Sequence, residues 1–234
     1  MKVALLLPGY LDSPDYLHLV TFEKRLKELG YVVERLDLGD LWETGNPKNY
    51  TVTYFIDQVK RRVGYYKSQN PEEILLLGHS RGAFTAIIAG SRIEEVTKII
   101  ALCPPPDIKA SVRKWLNRGE RTSKRDLSSR PTEYRKFSIP YVYVEDSMKY
   151  SAVEEVKNLH KPLMIFIALN DEVVPPELTE QIVANANNPH VVRQSNMGHD
   201  FRRSQEECDI VMNEIEKFLG RLNIGINQIH KIQP

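Results

Sequence analysis

Continuous apolar runs and amphipathic stretches alternate along this chain. Val3 to Leu7 is an unbroken apolar run, the pattern of a strand buried on both faces. Ser13 and Pro14 then read as an N-cap followed by proline at the first helical position. Leu19, Phe22, Leu26 and Leu29 form a helical stripe that Gly30 is placed to end. Tyr31 to Leu38 predicts a second strand, and Val52, Phe55, Ile56, Val59, Val63 and Tyr66 a second amphipathic helix. Ile74 to Leu77 is a third strand. A helix rich in small residues follows, with Ala83, Ala86, Ala89 and Gly90 suited to close packing on a sheet, and then a fourth strand at Val96 to Leu102.

The rhythm breaks between Pro104 and Lys161, an irregular, basic and tyrosine-rich stretch that opens with three prolines. It resumes with a strand at Leu163 to Leu169, a helix from about Pro176 to Ala186, and a strand at His190 to Gln194. A last helix starts at Ser204, with Glu207 three residues on as a capping box. Ile210, Val211, Ile215 and Phe218 are its buried stripe and Gly220 its expected end; Arg221 to Pro234 carries no assignment. Repeated β-α alternation predicts an α/β fold, a mostly parallel sheet of about six strands with helices on both faces. The expectation is one domain, 1–234, with residues 104–161 inserted over the strand ends as a lid.

Composition changes this picture little. The 234 residues are 41% hydrophobic and 27% charged, with a formal net charge of +1, so global charge selects neither nucleic acid nor membrane. The apolar run at the N-terminus is too short for a signal-peptide core, and no stretch reaches the length of a membrane span. Cys103 and Cys208 form no CxxC pair and read as free thiols, so the expected location is the cytoplasm. Charge is distributed unevenly, however. From Lys109 to Lys136 there are ten basic residues against three acidic ones, an excess of seven on the insertion. That suits either a solvated surface or a lid that attracts anionic groups.

The candidate chemistry centres on Gly78-His79-Ser80-Arg81-Gly82, a G-x-S-x-G pattern between a predicted strand and a predicted helix. A serine hydroxyl is a poor nucleophile unless it is held out of the fold beside a base, and a tight strand-to-helix turn does this. Asp171 follows the fifth strand and His199 the sixth, which is the chain order nucleophile, acid, base. On this reading Ser80 attacks an acyl carbonyl, His199 takes its proton, and Asp171 orients the imidazole. Asp146, Glu172 and Asp200 are alternative acids. The oxyanion hole is assigned to the backbone N–H groups of Arg81 and Tyr10, with Leu11 as second choice to Tyr10. Tyr134, Phe137, Tyr141 and Tyr143 are candidates to line an acyl pocket, or else to anchor the lid. His79 and Cys103 are expected to be packing neighbours, and the remaining histidines lack metal-ligand spacing.

These residues resemble the α/β-hydrolase family, in particular its small cinnamoyl- or feruloyl-esterase-like members and the catalytic domains of prolyl-oligopeptidase-type enzymes. The likeness runs from Val3 to about Leu219. It rests on Gly78 to Gly82, on Asp171-Glu172-Val173-Val174-Pro175 and on Gly198-His199, and the stretch from Lys136 to Ser151 is similar to the end of an esterase cap. The chain departs from the family at Pro8-Gly9, where His-Gly is usual, and at Ala168, where glycine is usual. The resemblance implies a serine hydrolase acting on carboxylic esters of small to medium acyl groups, with no metal or organic cofactor. A peptidase or amidase and a catalytically silent binding protein are the alternatives. The expected partner is a small-molecule ester, with no nucleic acid and no membrane span; apolar area near the lid leaves room for a homodimer contact.

Overall fold

A computed structural model describes residues 1–108 and 121–229, with the side chains of 221–229 excepted. Six strands build the main sheet: β1 (Lys2–Leu7), β2 (Tyr31–Arg35), β3 (Glu73–His79), β4 (Lys98–Leu102), and, after the insertion, β7 (Leu163–Ala168) and β8 (His190–Gln194). Their order is β2-β1-β3-β4-β7-β8 and all neighbours are parallel. β5 (Arg121–Leu127) and β6 (Arg130–Ile139) form a separate antiparallel hairpin.

The pleat explains the unbroken apolar runs. Val3, Leu5 and Leu7 of β1, with Ile74 and Leu76 of β3, face one core. Ala4 and Leu6, with Leu75 and Leu77, face the other. The first core is closed by helices α3 (Val52–Lys67) and α4 (Arg81–Arg92). The second is closed by α1 (Leu17–Glu28) and α8 (Gln205–Ile229), which carry the predicted stripes of Leu19, Phe22 and Leu26 and of Val211, Ile215 and Phe218. Among the described residues, no helix is long and apolar enough to cross a membrane.

Several boundaries differ from the sequence expectation. Helix α1 is capped by Tyr16, because Ser13 and Pro14 first make a turn in which Ser13 Oγ accepts from Asp15 N at 3.1 Å. Strand β2 stops at Arg35: the Asp37 carboxylate accepts from Trp42 N at 2.8 Å and Glu43 N at 2.9 Å, which starts α2 (Leu41–Thr44) instead. Gly220 does not end the last helix, which continues to Ile229. A mid-helix glycine costs about 1 kcal/mol relative to alanine, too little to stop a helix by itself. Ser204 does cap that helix, its Oγ accepting from Glu207 N at 3.3 Å.

The insertion is more regular than its sequence suggests. After the hairpin come α5 (Val142–Ser147) and α6 (Ala152–Val156), and then α7 (Pro176–Val183) follows β7. The hairpin shows little apolar alternation because only Asp126, Phe137 and Ile139 on it are buried. Lys109 to Glu120, which hold four of the ten basic residues of the charged stretch, lie outside the described residues.

Candidate active site

The site lies at the C-terminal ends of β3, β7 and β8. Ser80 links β3 to α4 in a backbone conformation that L-residues rarely adopt, φ 52° and ψ −113°. The turn is held on both sides: Ser80 N donates to Leu102 O at 2.8 Å, and Ser80 O accepts from Phe84 N at 3.0 Å. Glycine is required twice here. A Cβ on Gly78 would fall on the carbonyl group of Gly82, and a Cβ on Gly82 would fall on the Leu7 carbonyl. Strain of this kind, of order 1–3 kcal/mol, persists only where the surroundings over-determine it.

His199 Nε2 stands 2.8 Å from Ser80 Oγ, and His199 Nδ1 stands 2.6 Å from Asp171 Oδ2. The carboxylate is an acceptor, so it places the imidazole proton on Nδ1 and leaves the Nε2 lone pair facing the serine. Asp171 is itself fixed. Its Oδ1 accepts from Val173 N at 2.8 Å and from Val174 N at 2.7 Å, which aims Oδ2 at the histidine. The two loops are tied together through Leu169 N to Gln194 O at 2.9 Å and Asn170 N to Met197 O at 3.0 Å. The other acids considered are engaged elsewhere or outside this contact. Asp146 accepts from Thr53 N at 2.8 Å, and Asp200 pairs with Arg202 at 3.2 Å.

Beside the serine is a cavity of about 540 Å³. Ser80 and His199 line it, with Tyr10, Ile108, Tyr143 and Val174 as apolar and aromatic walls and Arg121 to Arg125 of β5 across it. Burial raises the phenols of Tyr10 and Tyr143, so both are neutral hydroxyls.

No protein-family model matches this sequence, and no curated protein does. Solved structures do match. The esterase Est1E from Butyrivibrio proteoclasticus superposes with a TM-score of 0.74 at 18% identity, over 94% of this chain and 87% of that one. Alpha/beta hydrolase domain-containing protein 10 from mouse gives 0.72 at 18% identity, over 94% and 90%. The esterase domain of a Rhodothermus marinus protein gives 0.69 at 20% identity, over 94% and 87%. This chain has the α/β-hydrolase fold.

Within that fold the lid aromatics divide. Tyr143 lines the cavity as expected. Phe137 does not: it is 1% exposed and packs edge-on against Trp42, ring centres 5.4 Å apart, as an anchor of the hairpin. Tyr134 and Tyr141 point to solvent at 60% and 37% exposure, outside the cavity. A two-residue alternation leaves no apolar neighbours for Tyr134 on the wet face of β6. Leu11 is also excluded from its second-choice role, because its N–H donates to Tyr50 Oη at 2.6 Å. Tyr10 lines the cavity, and its carbonyl accepts from Arg125 Nε and Nη2 at 3.0 and 2.6 Å. Arg81 is the first residue of α4, where helix geometry leaves the N–H without an intrahelical partner.

Sequence reasoning missed the polar strand β5 as a cavity wall, and it missed Tyr50 and Trp42 as supports of the loop after β1. Trp42 Nε1 donates to Leu11 O at 3.1 Å. Large aromatics beside a predicted strand end were the available signal.

Under the triad lies a buried polar layer. His79 Nε2 donates to the His199 carbonyl at 3.1 Å, which makes its Nδ1 the bare nitrogen, 3.9 Å from Asp12 Oδ2. Burial first, and then the neighbouring His199, push His79 well below its ordinary value; burial, with Arg202 assisting, takes His18 down to about 3. Burial raises the Asp12 carboxyl while Arg125, 3.3 Å away, opposes the shift. Asp12, His18 and His79 bring ligand atoms within 4.8 Å of one another, as do Cys103, Asp171 and His199. The second group contains two residues of the triad geometry. The first faces Arg125 and Arg202, whose charges oppose a divalent cation. Cys103 and Cys208 are free, buried thiols, both raised chiefly by burial.

Proposed function

We propose that this chain is a serine hydrolase that cleaves carboxylic esters of small to medium acyl groups through an acyl-enzyme. The observation that carries the reading is the continuous hydrogen-bonded series Asp171, His199, Ser80 at three strand ends beside a cavity. Ser80 Oγ attacks the ester carbonyl carbon as its proton passes to His199 Nε2. Asp171 holds the tautomer and stabilises the imidazolium. The tetrahedral oxyanion is received by the N–H groups of Arg81 and Tyr10, and a single donor of this kind is worth about 10²- to 10³-fold in turnover. His199 then gives its proton to the departing alkoxide. A water molecule, deprotonated by His199, attacks the acyl carbon and releases Ser80.

Support also comes from the neighbours, two of which are esterases by name, and from Est1E, which has been solved with ferulic acid bound. The aromatic walls of Tyr10 and Tyr143 suit an acyl group of that kind.

A fluorophosphonate probe tests the mechanism. The wild-type chain should label at Ser80, and Ser80→Ala should not label. Absent labelling, or labelling unchanged by Ser80→Ala, removes the catalytic reading. A panel of 4-nitrophenyl esters of rising chain length, set beside 4-nitroanilides of the same acids, tests the ester assignment, which turnover of the anilides alone would overturn.

A further inference from the structure

Among the described residues, the Arg81 side chain at the cavity makes no ion pair. Arg81 is 7% exposed, and its Nε and Nη1 are buried without a hydrogen-bond partner among the described residues. The guanidinium faces are covered: its central carbon lies 5.1 Å from the ring centre of Phe84 and 5.7 Å from that of Tyr143. These cation–π contacts engage the π-face and do not supply an acceptor to Nε or Nη1. Nearby acids do not supply one. Asp12 is held by Arg125 at 3.3 Å and Asp200 by Arg202 at 3.2 Å, while among the described residues no ion pair engages Arg81.

The position is unfavourable in two further ways. A buried cation without a partner loses its hydration with no return. A cation in the first turn of a helix also sits at the positive end of the macrodipole. Both penalties are relieved by an anion bound in the cavity that Arg81 lines beside Ser80. Arg121, Lys124 and Arg125 of β5 line the same cavity together with Asp12, Asp107 and Asp200, so that with Arg81 the lining carries one positive charge in excess.

We propose that the substrate carries a carboxylate a short chain away from its scissile carbonyl, and that the Arg81 side chain binds it. A carboxylate is the planar acceptor that matches a guanidinium, two oxygens to two N–H groups. This inference rests on the serine-hydrolase reading of the same site and names its substrate class.

The test compares two aryl esters of equal length, 4-nitrophenyl hydrogen adipate with a free carboxylate and 4-nitrophenyl heptanoate without one. For the wild-type chain, kcat/KM should favour the adipate by about 10- to 100-fold at low salt, the range expected for a desolvated charge pair. Arg81→Gln should bring that ratio to one or below, and Arg81→Lys should keep part of it. A wild-type ratio at or below one, or a ratio that survives Arg81→Gln, overturns the proposal. If neither ester is cleaved and no fluorophosphonate label forms, the hydrolase reading has failed, and titration calorimetry of the wild-type chain decides the anion site alone. Adipate binding that Arg81→Gln abolishes supports the site. Phosphate binding in place of adipate, or no binding at all, overturns it.

Discussion

The two parts of this molecule that meet at the cavity are built on opposite terms. The sheet edge holds Ser80, Asp171 and His199 by backbone: a strained turn fixed by Leu102 and Phe84, a carboxylate fixed by two N–H groups, and two loops bonded to each other. The insertion is held by side chains. Phe137 packs on Trp42, Arg135 Nη1 donates to Trp42 O at 2.6 Å, and Arg125 reaches the Tyr10 carbonyl. Backbone-fixed geometry tolerates wide change in the surrounding sequence, whereas side-chain attachment can be exchanged one residue at a time. The proposed chemistry belongs to the first region, and the walls of the cavity are shared between the two.

The strongest way to break this division is at the triad. Ser80→Ala or His199→Ala should lower kcat on a 4-nitrophenyl ester by a factor on the order of 10⁶, with the melting temperature little changed. Asp171→Asn should cost on the order of 10⁴ in kcat, because the amide favours the wrong imidazole tautomer. Near-normal turnover of Asp171→Asn would move the acid elsewhere.

Packing gives a smaller contrast. Leu76 in β3 and Phe137 in β6 are both fully buried. Truncation of either to alanine removes about 2–5 kcal/mol of local packing. Leu76→Ala should lower the global melting temperature more than Phe137→Ala does, although it removes less volume. Phe137→Ala should instead speed proteolysis within 121–139 and raise KM, the sign of a hairpin that opens by itself. Equal losses in global melting would join the two regions into one cooperative unit.

The smallest effect is a pH dependence carried by the scaffold. His18 falls from an ordinary 6.5 to about 3 in the fold. Between those values the unfolded chain binds a proton there and the folded one does not, so stability falls as pH falls through that window. His18→Phe should remove up to about 1.4 kcal/mol per pH unit of this slope between pH 6 and 3, measured by urea unfolding. An unchanged slope would show that His18 takes up its proton without unfolding.

The scaffold was the legible half of the sequence. Unbroken runs such as Val3 to Leu7 specify strands buried on both faces, and the G-x-S-x-G turn and Asp171 each follow such a run, whereas His199 follows the half-buried edge strand β8. The insertion was not legible because its strands carry charge on both faces: Arg121 to Arg125 show no period that separates a cavity wall from a wet surface. Tyr134 and Tyr143 are chemically identical in the sequence, and only the direction of the local backbone sends one to solvent and the other into the cavity. Helix ends are less legible: Ser13 holds a turn rather than the start of α1, and a single glycine at 220 is too weak to stop α8.

Arg125 ties these halves mechanically. It spans from β5 to the Tyr10 carbonyl and to Asp12, both in the loop after β1. Any swing of the hairpin away from the sheet breaks these links in the same step. A hairpin displaced from the sheet would therefore also slacken the loop beside Ser80.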